Sequence, residues 1–452
     1  MICKTSIRLT LGMMLFICIG CTMHNGEQKS QNQSAKAQVQ INWIANWNGR
    51  AHKKKLVLDA AKEFEFLNQD IKINIKFQEQ VCNNCSNTVM AMQDSIVQII
   101  QSKHYNWDIV TVTQKDYLQV GKILNDQEWG KKYLVNFEAF DWFRASQKPI
   151  VFEVKQYRED LGGIFAGPLI EGRYFSLWYN TKTAKKIGLH IKQTGMTFED
   201  FEGYIKQADQ YNKTANEKIR LLYEQGSSFT IPEIFNTLVL SALGTVDTSR
   251  VDLSKSLTAL RKALKACESL AIYNPFDATL KLDDKADAFL EEKALFGVFV
   301  SSYINSWEAS DSAKALNMVP AELPVFEKPG MYFHGSYQSV WAIFKDAPHR
   351  EEAIKFMKFM CSEDIAEKWI STTKNPTAIN VRMNVSELSH DEISKFNSEI
   401  EKKYGKNMCN YNITRILFGP KSKIILNATK VIQGSISADE YYEQIVKQLK
   451  KS

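Results

Sequence analysis

An α/β architecture built on mainly parallel sheets is what this sequence predicts, and three observations predict it. Between positions 39 and 112 the patterns run strand, helix, strand, helix, strand, an order that places helices on the faces of a parallel sheet. A further alternating strand at 175–180 leads directly into a short helix, and in open α/β sheets such turns are where ligands bind. The chain has 452 residues, too many for one hydrophobic core, so two or three are expected.

The N-terminus reads as an export signal. Lys4 and Arg8 precede an apolar run at 9–19 that is too short to span a bilayer, and Ile17-Cys18-Ile19-Gly20-Cys21 looks like a bacterial lipobox. Residues 1–20 are therefore expected to be a signal peptide and Cys21 the lipidated first residue of the product. Residues 21–38, rich in Gln, Asn, Ser and Lys, have too few apolar side chains to fold and form a tether.

The first strand, 39–44, alternates and ends at Asn46-Trp47-Asn48-Gly49. A helix at 52–67 follows, with Leu56, Ala60, Phe64 and Leu67 on one face. Residues 71–77 (IKINIKF) alternate as a second strand, 88–102 form a second amphipathic helix, and 107–112 a third, buried strand. From 113 to 163 the chain is aromatic and charged without clean periodicity. In the strand 175–180, Phe175, Leu177 and Tyr179 alternate with Ser176, Trp178 and Asn180; the helix after it has a cap-competent Thr181 at its start and Gly188 at its stop. Thr197 with Asp200 makes a near capping box for a helix at 198–211. Further helices are expected at 229–241 and 253–267, and an amphipathic helix at 438–450.

In their order these segments resemble the extracellular solute-binding proteins of bacterial ABC importers, in particular the sugar-binding family 1 type. The passages that carry the resemblance are Ala166-Gly167-Pro168 with Trp178-Tyr179-Asn180 and a helix ending Gly188-Leu189, the start Thr197-Phe198-Glu199-Asp200, Ala294–Phe299 as a buried strand, Gly335–Ile343 as a single strand, Arg350–Cys361 as a helix, and Asn375-Pro376-Thr377-Ala378. The resemblance implies a two-lobed periplasmic-binding-protein fold, each lobe a mainly parallel sheet flanked by helices, hinged around a central cleft. Lobe 1 would take 39–166 and 321–375, with 318–324 as the return crossing, and lobe 2 would take 167–320 and 376–452. It further implies capture of a small solute, most readily a carbohydrate, delivery to ABC transporter permease subunits, and a monomer tethered outside the membrane by its lipid.

Sugars present polar edges and apolar CH faces, so a site wants flat aromatic rings with donors and acceptors at the rim. Five separated loops supply candidates: Trp47 and Asn48; Gln114 and Asp116; Arg173, Tyr174 and Trp178; Tyr303 and Trp307; Gly335 and Tyr337. Core packing is the competing reading for each aromatic, most of all for Trp178. Arg173 stands where sugar binders of this family carry an acidic or polar residue, which admits a carboxylated sugar or an ordinary ion pair.

No catalytic residues, metal site or cofactor are expected. The chain has no G-x-S-x-G, H-E-x-x-H, phosphate-binding glycine loop or calcium loop, and its 7 histidines do not pair at metal spacing. Net charge is +6, or +4 without the two basic leader residues, too small and scattered for nucleic acid. Beyond Cys21 stand Cys82, Cys85, Cys267, Cys361 and Cys409, an odd number; Cys82-x-x-Cys85 reads as a local disulfide or half of a zinc site lacking its second pair. Three alternatives stay open: a lipid-anchored sensory binding module, a surface glycosidase with two carboxylates across the cleft, and a non-sugar ligand such as a polyamine or a metal chelate held by Tyr174, Tyr179, Tyr303 and Tyr337.

Overall fold

The computed structural model describes residues 38–45, 47, 51–77, 92–154, 157–158, 161–223, 233–244, 252–273, 287–326, 333–382, 392–405, 408–409, 413–419, 422, 424, 426 and 428–451. The lipidation cysteine Cys21, the tether, Asn48 and the Cys82-x-x-Cys85 pair lie outside them. Residues 38–452 form one compact unit.

Among the described residues the strands are β1 (Val39–Ala45), β2 (Ile71–Phe77), β3 (Ile109–Thr111), β4 (Glu171–Asn180), β5 (Arg220–Tyr223), β6 (Ala294–Val300), β7 (Met318–Ala321), β8 (Phe333–Gln338), β9 (Trp341–Ile343) and β10 (Met408–Cys409). They make two sheets. The first has the order β2-β1-β3-β9; the second has the order β10-β8-β4-β6-β5, with β7 paired to β4.

The first sheet follows from the amphipathic alternation of its strands and helices. β1 pairs in parallel with β2 and β3, and the helices Ala51–Leu67 and Met92–Ser102 return the chain between them. Ile96, Val97, Ile99 and Ile100 bury one face of the second helix, and Leu56, Val57, Ala60 and Phe64 that of the first. Trp43 is fully buried and meets Trp341 edge to face at 5.0 Å and Phe356 at 5.8 Å. Buried Asp108 is satisfied by two backbone donors, Asn42 N at 2.8 Å and His349 N at 2.9 Å, which is what a carboxylate in an apolar core requires.

The second sheet departs from the parallel expectation. β6, β7 and β8 all run antiparallel to β4, and only β5–β6 and β8–β10 are parallel. β6 and β7 flank β4 on either side and both oppose it, so they run parallel to each other, and the helix Ile304–Ala315 makes the crossover between them.

The crossings between the two cores also sit elsewhere than expected. Residues 318–324 are not the return crossing: β7 pairs with Leu177–Asn180 of β4, and Ala321, Leu323 and Val325 pack in the second core. The chain returns at Ser339 and Val340, where the stretch read as one strand divides into β8 in the second sheet and β9 in the first. β4 itself begins at Glu171 and serves both cores, with Tyr174 in the first and Leu177 in the second. At the third crossing the expected boundary at 376 moves later: Ala378, Ile379, Phe396, Ile400 and Met408 belong to the first core, and Ile413 onward to the second.

Capping follows local chemistry closely. Thr113 with Asp116 and Thr197 with Asp200 form complete capping boxes. The helix Thr181–Ile187 is capped by Asn180, whose side chain accepts from Lys182 N and Thr183 N, rather than by Thr181. It ends at Gly188 with φ +80°, the left-handed conformation that costs a side chain about 1–2 kcal/mol. A Cβ there would meet only the Gln207 amide at 4.0 Å, so Gly188→Ala is expected to lower stability by about 1 kcal/mol, read as a shift in urea midpoint at unchanged slope.

Candidate functional site

The parallel strands β1, β2 and β3 point their C-terminal ends to one edge of the first sheet, where an open α/β sheet takes its ligands. Trp47 follows β1 there and Gln114 follows β3. Opposite them lie the crossing strands, with Glu171↔Gln338, Gly172↔Tyr337, Arg173↔Ser336 and Tyr174↔Gly335 in register. An open cleft of about 400 Å³ is lined by Gln114, Tyr157, Leu161, Phe165, Leu169, Tyr337, Gln338 and Ser339. It combines aromatic and aliphatic faces with two amides and a hydroxyl, the mixture a polyhydroxylated solute asks for.

Side chains alternate across β4. On one face the Tyr174 hydroxyl lies 3.0 Å from that of Tyr337 and donates to Glu401 Oε2 at 2.7 Å, while Lys148 ion-pairs with the other oxygen of Glu401 and lies 5.5 Å from the Tyr337 ring. Burial, and then the nearby Glu401 charge, raise both phenols well above their ordinary range. A second hollow of about 290 Å³ adjoins this network, between Lys148, Lys374, Asn375, Thr377, Asn397 and Glu401. On the other face Glu171 ion-pairs with Lys53, and the Arg173 guanidinium lies 5.8 Å from the Phe175 ring.

Several sequence candidates are placed differently from the expectation. Trp178 and Trp307 are 0% and 1% exposed and pack edge to face at 5.2 Å. The Trp178 indole donates to Phe299 O at 3.2 Å. They are core side chains of the second sheet and not cleft walls, because β4 is covered on both faces at Trp178. Tyr303 packs on Phe299 and Trp307 at 4.9 and 5.2 Å and stays half-buried, so it alone of these three keeps an open face. Trp47 is held at φ +78° against Trp341 and Trp369, at 5.7 and 5.8 Å, and is buried in the first core. The Asp116 carboxylate is occupied by its own helix start, accepting from Thr113 N and Oγ1 at 3.1 and 2.6 Å. Tyr174 is fully buried under Glu401, and Gly335 contributes backbone only.

Gln114 and Tyr337 are the two candidates that the structure brings into one cleft. Lys53, Glu171, Lys148 and Glu401 were missed. Glu171 was within reach of the sequence, since extending the strand alternation two residues upstream of Arg173 puts it on the same face. Lys53 hides in a run of three lysines, and Glu401 lies far along the chain from its partners.

The fold is that of known two-lobed binding proteins. A family 1 extracellular solute-binding protein from Bifidobacterium longum subsp. infantis superposes with a TM-score of 0.60 at 15% identity, covering 92% of this chain and 100% of the other. The cyclic α-maltosyl-1,6-maltose binding protein from Arthrobacter globiformis gives 0.62 at 13%, covering 90% and 96%, and apo RafE from Streptococcus pneumoniae gives 0.59 at 16%, covering 89% and 98%. A search of curated protein sequences returned no match. Residues 59–394 match the family model for bacterial extracellular solute-binding proteins, most of the chain, and with the two sheets and the cleft at their crossings the conclusion is that this chain belongs to the bacterial extracellular solute-binding proteins.

Proposed function

We propose that this protein is a lipid-anchored, extracytoplasmic receptor that captures a neutral oligosaccharide between its two lobes and hands it to the permease of an ABC transporter. The observation that carries the carbohydrate reading is the ligand record of structures sharing the fold: RafE with raffinose, a Bacillus licheniformis sugar transporter protein with stachyose, the Streptomyces glaucescens GacH receptor with acarbose, and Thermotoga maritima MalE3 with maltose. The cleft of this chain fits that class. Gln114, Gln338 and Ser339 supply donors and acceptors beside the Tyr337 and Phe165 rings that line the cleft, and Tyr303 and Arg173 are the further candidates.

No helix of the described residues is long and apolar enough to cross a membrane. The Ile17-Cys18-Ile19-Gly20-Cys21 pattern supports attachment through acylation of Cys21, with the segment 21–38 as the tether, and the protein is proposed to act as a monomer. A sugar that fills the cleft stabilises the liganded state by its differential affinity, and that state is what the permease reads.

The test is a thermal-shift screen of the purified chain against raffinose, stachyose, maltose, uronic acids, polyamines and ferric citrate. A ligand that binds only the folded protein stabilises it by about 2.7 kcal/mol at a hundred times its Kd. A saturable shift with a neutral oligosaccharide is expected. A shift confined to polyamines or ferric citrate would overturn the carbohydrate assignment.

A further inference from the structure

We propose that Glu401 is a positioning residue for solute capture, fixing the floor and one wall of the cleft through Tyr174 and Tyr337, an assignment that rests on that cleft being the solute site. Three consecutive residues, Tyr337 and Gln338 at the end of β8 and Ser339 just beyond it, line the cleft. Tyr337 is 1% exposed and belongs to the floor, whereas Gln338 and Ser339 are half-buried. A solute therefore meets the two polar side chains, and whatever holds Tyr337 decides where they stand.

The hold is a chain of polar groups. The Tyr174 hydroxyl donates to Glu401 Oε2 at 2.7 Å and lies 3.0 Å from the Tyr337 hydroxyl. A hydroxyl has one proton to give, so with that of Tyr174 directed to Glu401, the Tyr337 hydroxyl is the donor to Tyr174. Both protons run toward one carboxylate, whose other oxygen pairs with the Lys148 ammonium. Tyr174 stands on β4, Tyr337 on β8 and Glu401 in the helix Glu392–Tyr404 that follows the third crossing, so one group from each crossing meets here. The backbone of Lys148 is tied to the third crossing as well, its N–H donating to Ala378 O at 2.7 Å.

Two observations assign this chain to positioning. Glu401 and Lys148 both border the hollow of about 290 Å³, so the charged end of the chain is held by its polar contacts and not by dense packing. Glu401 also stands in the last turn of its helix, next to Lys402 and Lys403, where the negative end of the helix disfavours a carboxylate. Stability alone does not call for a half-buried ion pair at such a place, since apolar side chains fill the space at least as well. What a satisfied polar chain supplies is one geometry, and here that geometry is the orientation of Tyr337 and of the two residues after it.

The experiment is isothermal titration calorimetry of the full chain and of Glu401→Gln, Tyr337→Phe and the double variant with raffinose, stachyose and maltose. Each single variant is expected to bind about 10-fold more weakly than the wild type. The double variant should bind no more weakly than either, because both changes cut the same chain. A purely structural role would move the urea midpoint and leave affinity unchanged, or give losses that add. If Glu401→Gln fails to fold, Lys148→Met combined with Glu401→Met leaves no orphaned ion and should show the same loss. NMR of protein labelled at tyrosine Cζ reads the anchor without a ligand. The Tyr337 signal, identified by its absence from Tyr337→Phe, should be single in the wild type and shifted and broadened in Glu401→Gln. Wild-type affinity in Glu401→Gln, additive losses, or an unchanged Tyr337 signal overturns the positioning role while the carbohydrate reading stands. If none of the three sugars binds the wild type, the carbohydrate reading falls and the Tyr337 signal decides the anchor by itself, a shifted signal upholding it and an unchanged one overturning it.

Discussion

Replacing Gly172 by alanine is expected to be among the most damaging single-methyl changes available in this protein. A Cβ on Gly172 would lie 2.3 Å from the carbonyl oxygen of Pro376 and 2.8 Å from its carbonyl carbon. Both contacts are with backbone, so no side-chain rotation relieves them. Either the crossing at Pro376 moves away or the β4–β8 ladder parts next to Tyr337. Overpacking of this kind costs about 1–3 kcal/mol and sometimes more, and the upper end is expected because the displaced atoms belong to a third crossing already anchored by Asn375 to Ser301 at 2.9 Å. The matched control is Gly203→Ala, at an exposed position inside the helix Phe198–Thr214 with nothing within 4 Å, which should gain about 0.5–1 kcal/mol. Equal urea midpoints for the two variants would sink the close-approach argument.

The second large effect is expected in alkali. Tyr174 and Tyr337 keep their protons well above the ordinary phenol range because both are buried and both lie near the Glu401 charge. The unfolded chain releases those protons near pH 10, so from about pH 10 upward it binds fewer protons than the folded chain and stability falls as pH rises. Below pH 10 both states are protonated and the two groups leave stability unchanged with pH. Each phenol adds a slope of about 1.4 kcal/mol per pH unit, the pair about 2.7. Urea midpoints between pH 8 and 12 should show this steep decline in the wild type, about half of it in Tyr174→Phe, and little of it in the variant carrying Tyr337→Phe as well. A double variant that declines as steeply as the wild type would assign the alkaline loss to other groups.

The first sheet was legible because IKINIKF and the helix patterns beside it each bury one face, and periodicity reports that directly. The second sheet was legible in content but not in direction. Periodicity locates a strand without saying which way its neighbour runs, so the antiparallel arrangement around β4 escaped, as did the division of 335–343 between two sheets. The crossing assigned to 318–324 failed for a related reason: Met318, Pro320 and Ala321 are as apolar as a crossing segment, and only pairing with β4 shows them to be sheet. Site residues were harder still. A tryptophan suits a sugar and a core equally well, and Trp178 and Trp307 went to the core. Glu171 and Lys53 lie far apart in sequence, and their pairing depends on a fold that brings the start of one helix to the start of a crossing strand.

The antiparallel insertion of β9 beside β3, Ile109 against Ile343, has a consequence for how the chain is made. Export delivers the protein from its N-terminus, so β1, β2 and β3 emerge while the strand that completes their sheet is still inside the cell. Until it arrives, the outer edge of β3 has unsatisfied amides and carbonyls beside a fully apolar surface of Ile109 and Val110, the kind of edge that recruits other chains. The whole of β4 to β8 must pass before that edge closes, and pairings so distant in sequence form slowly. The newly exported chain therefore carries an open, apolar strand edge until β9 arrives.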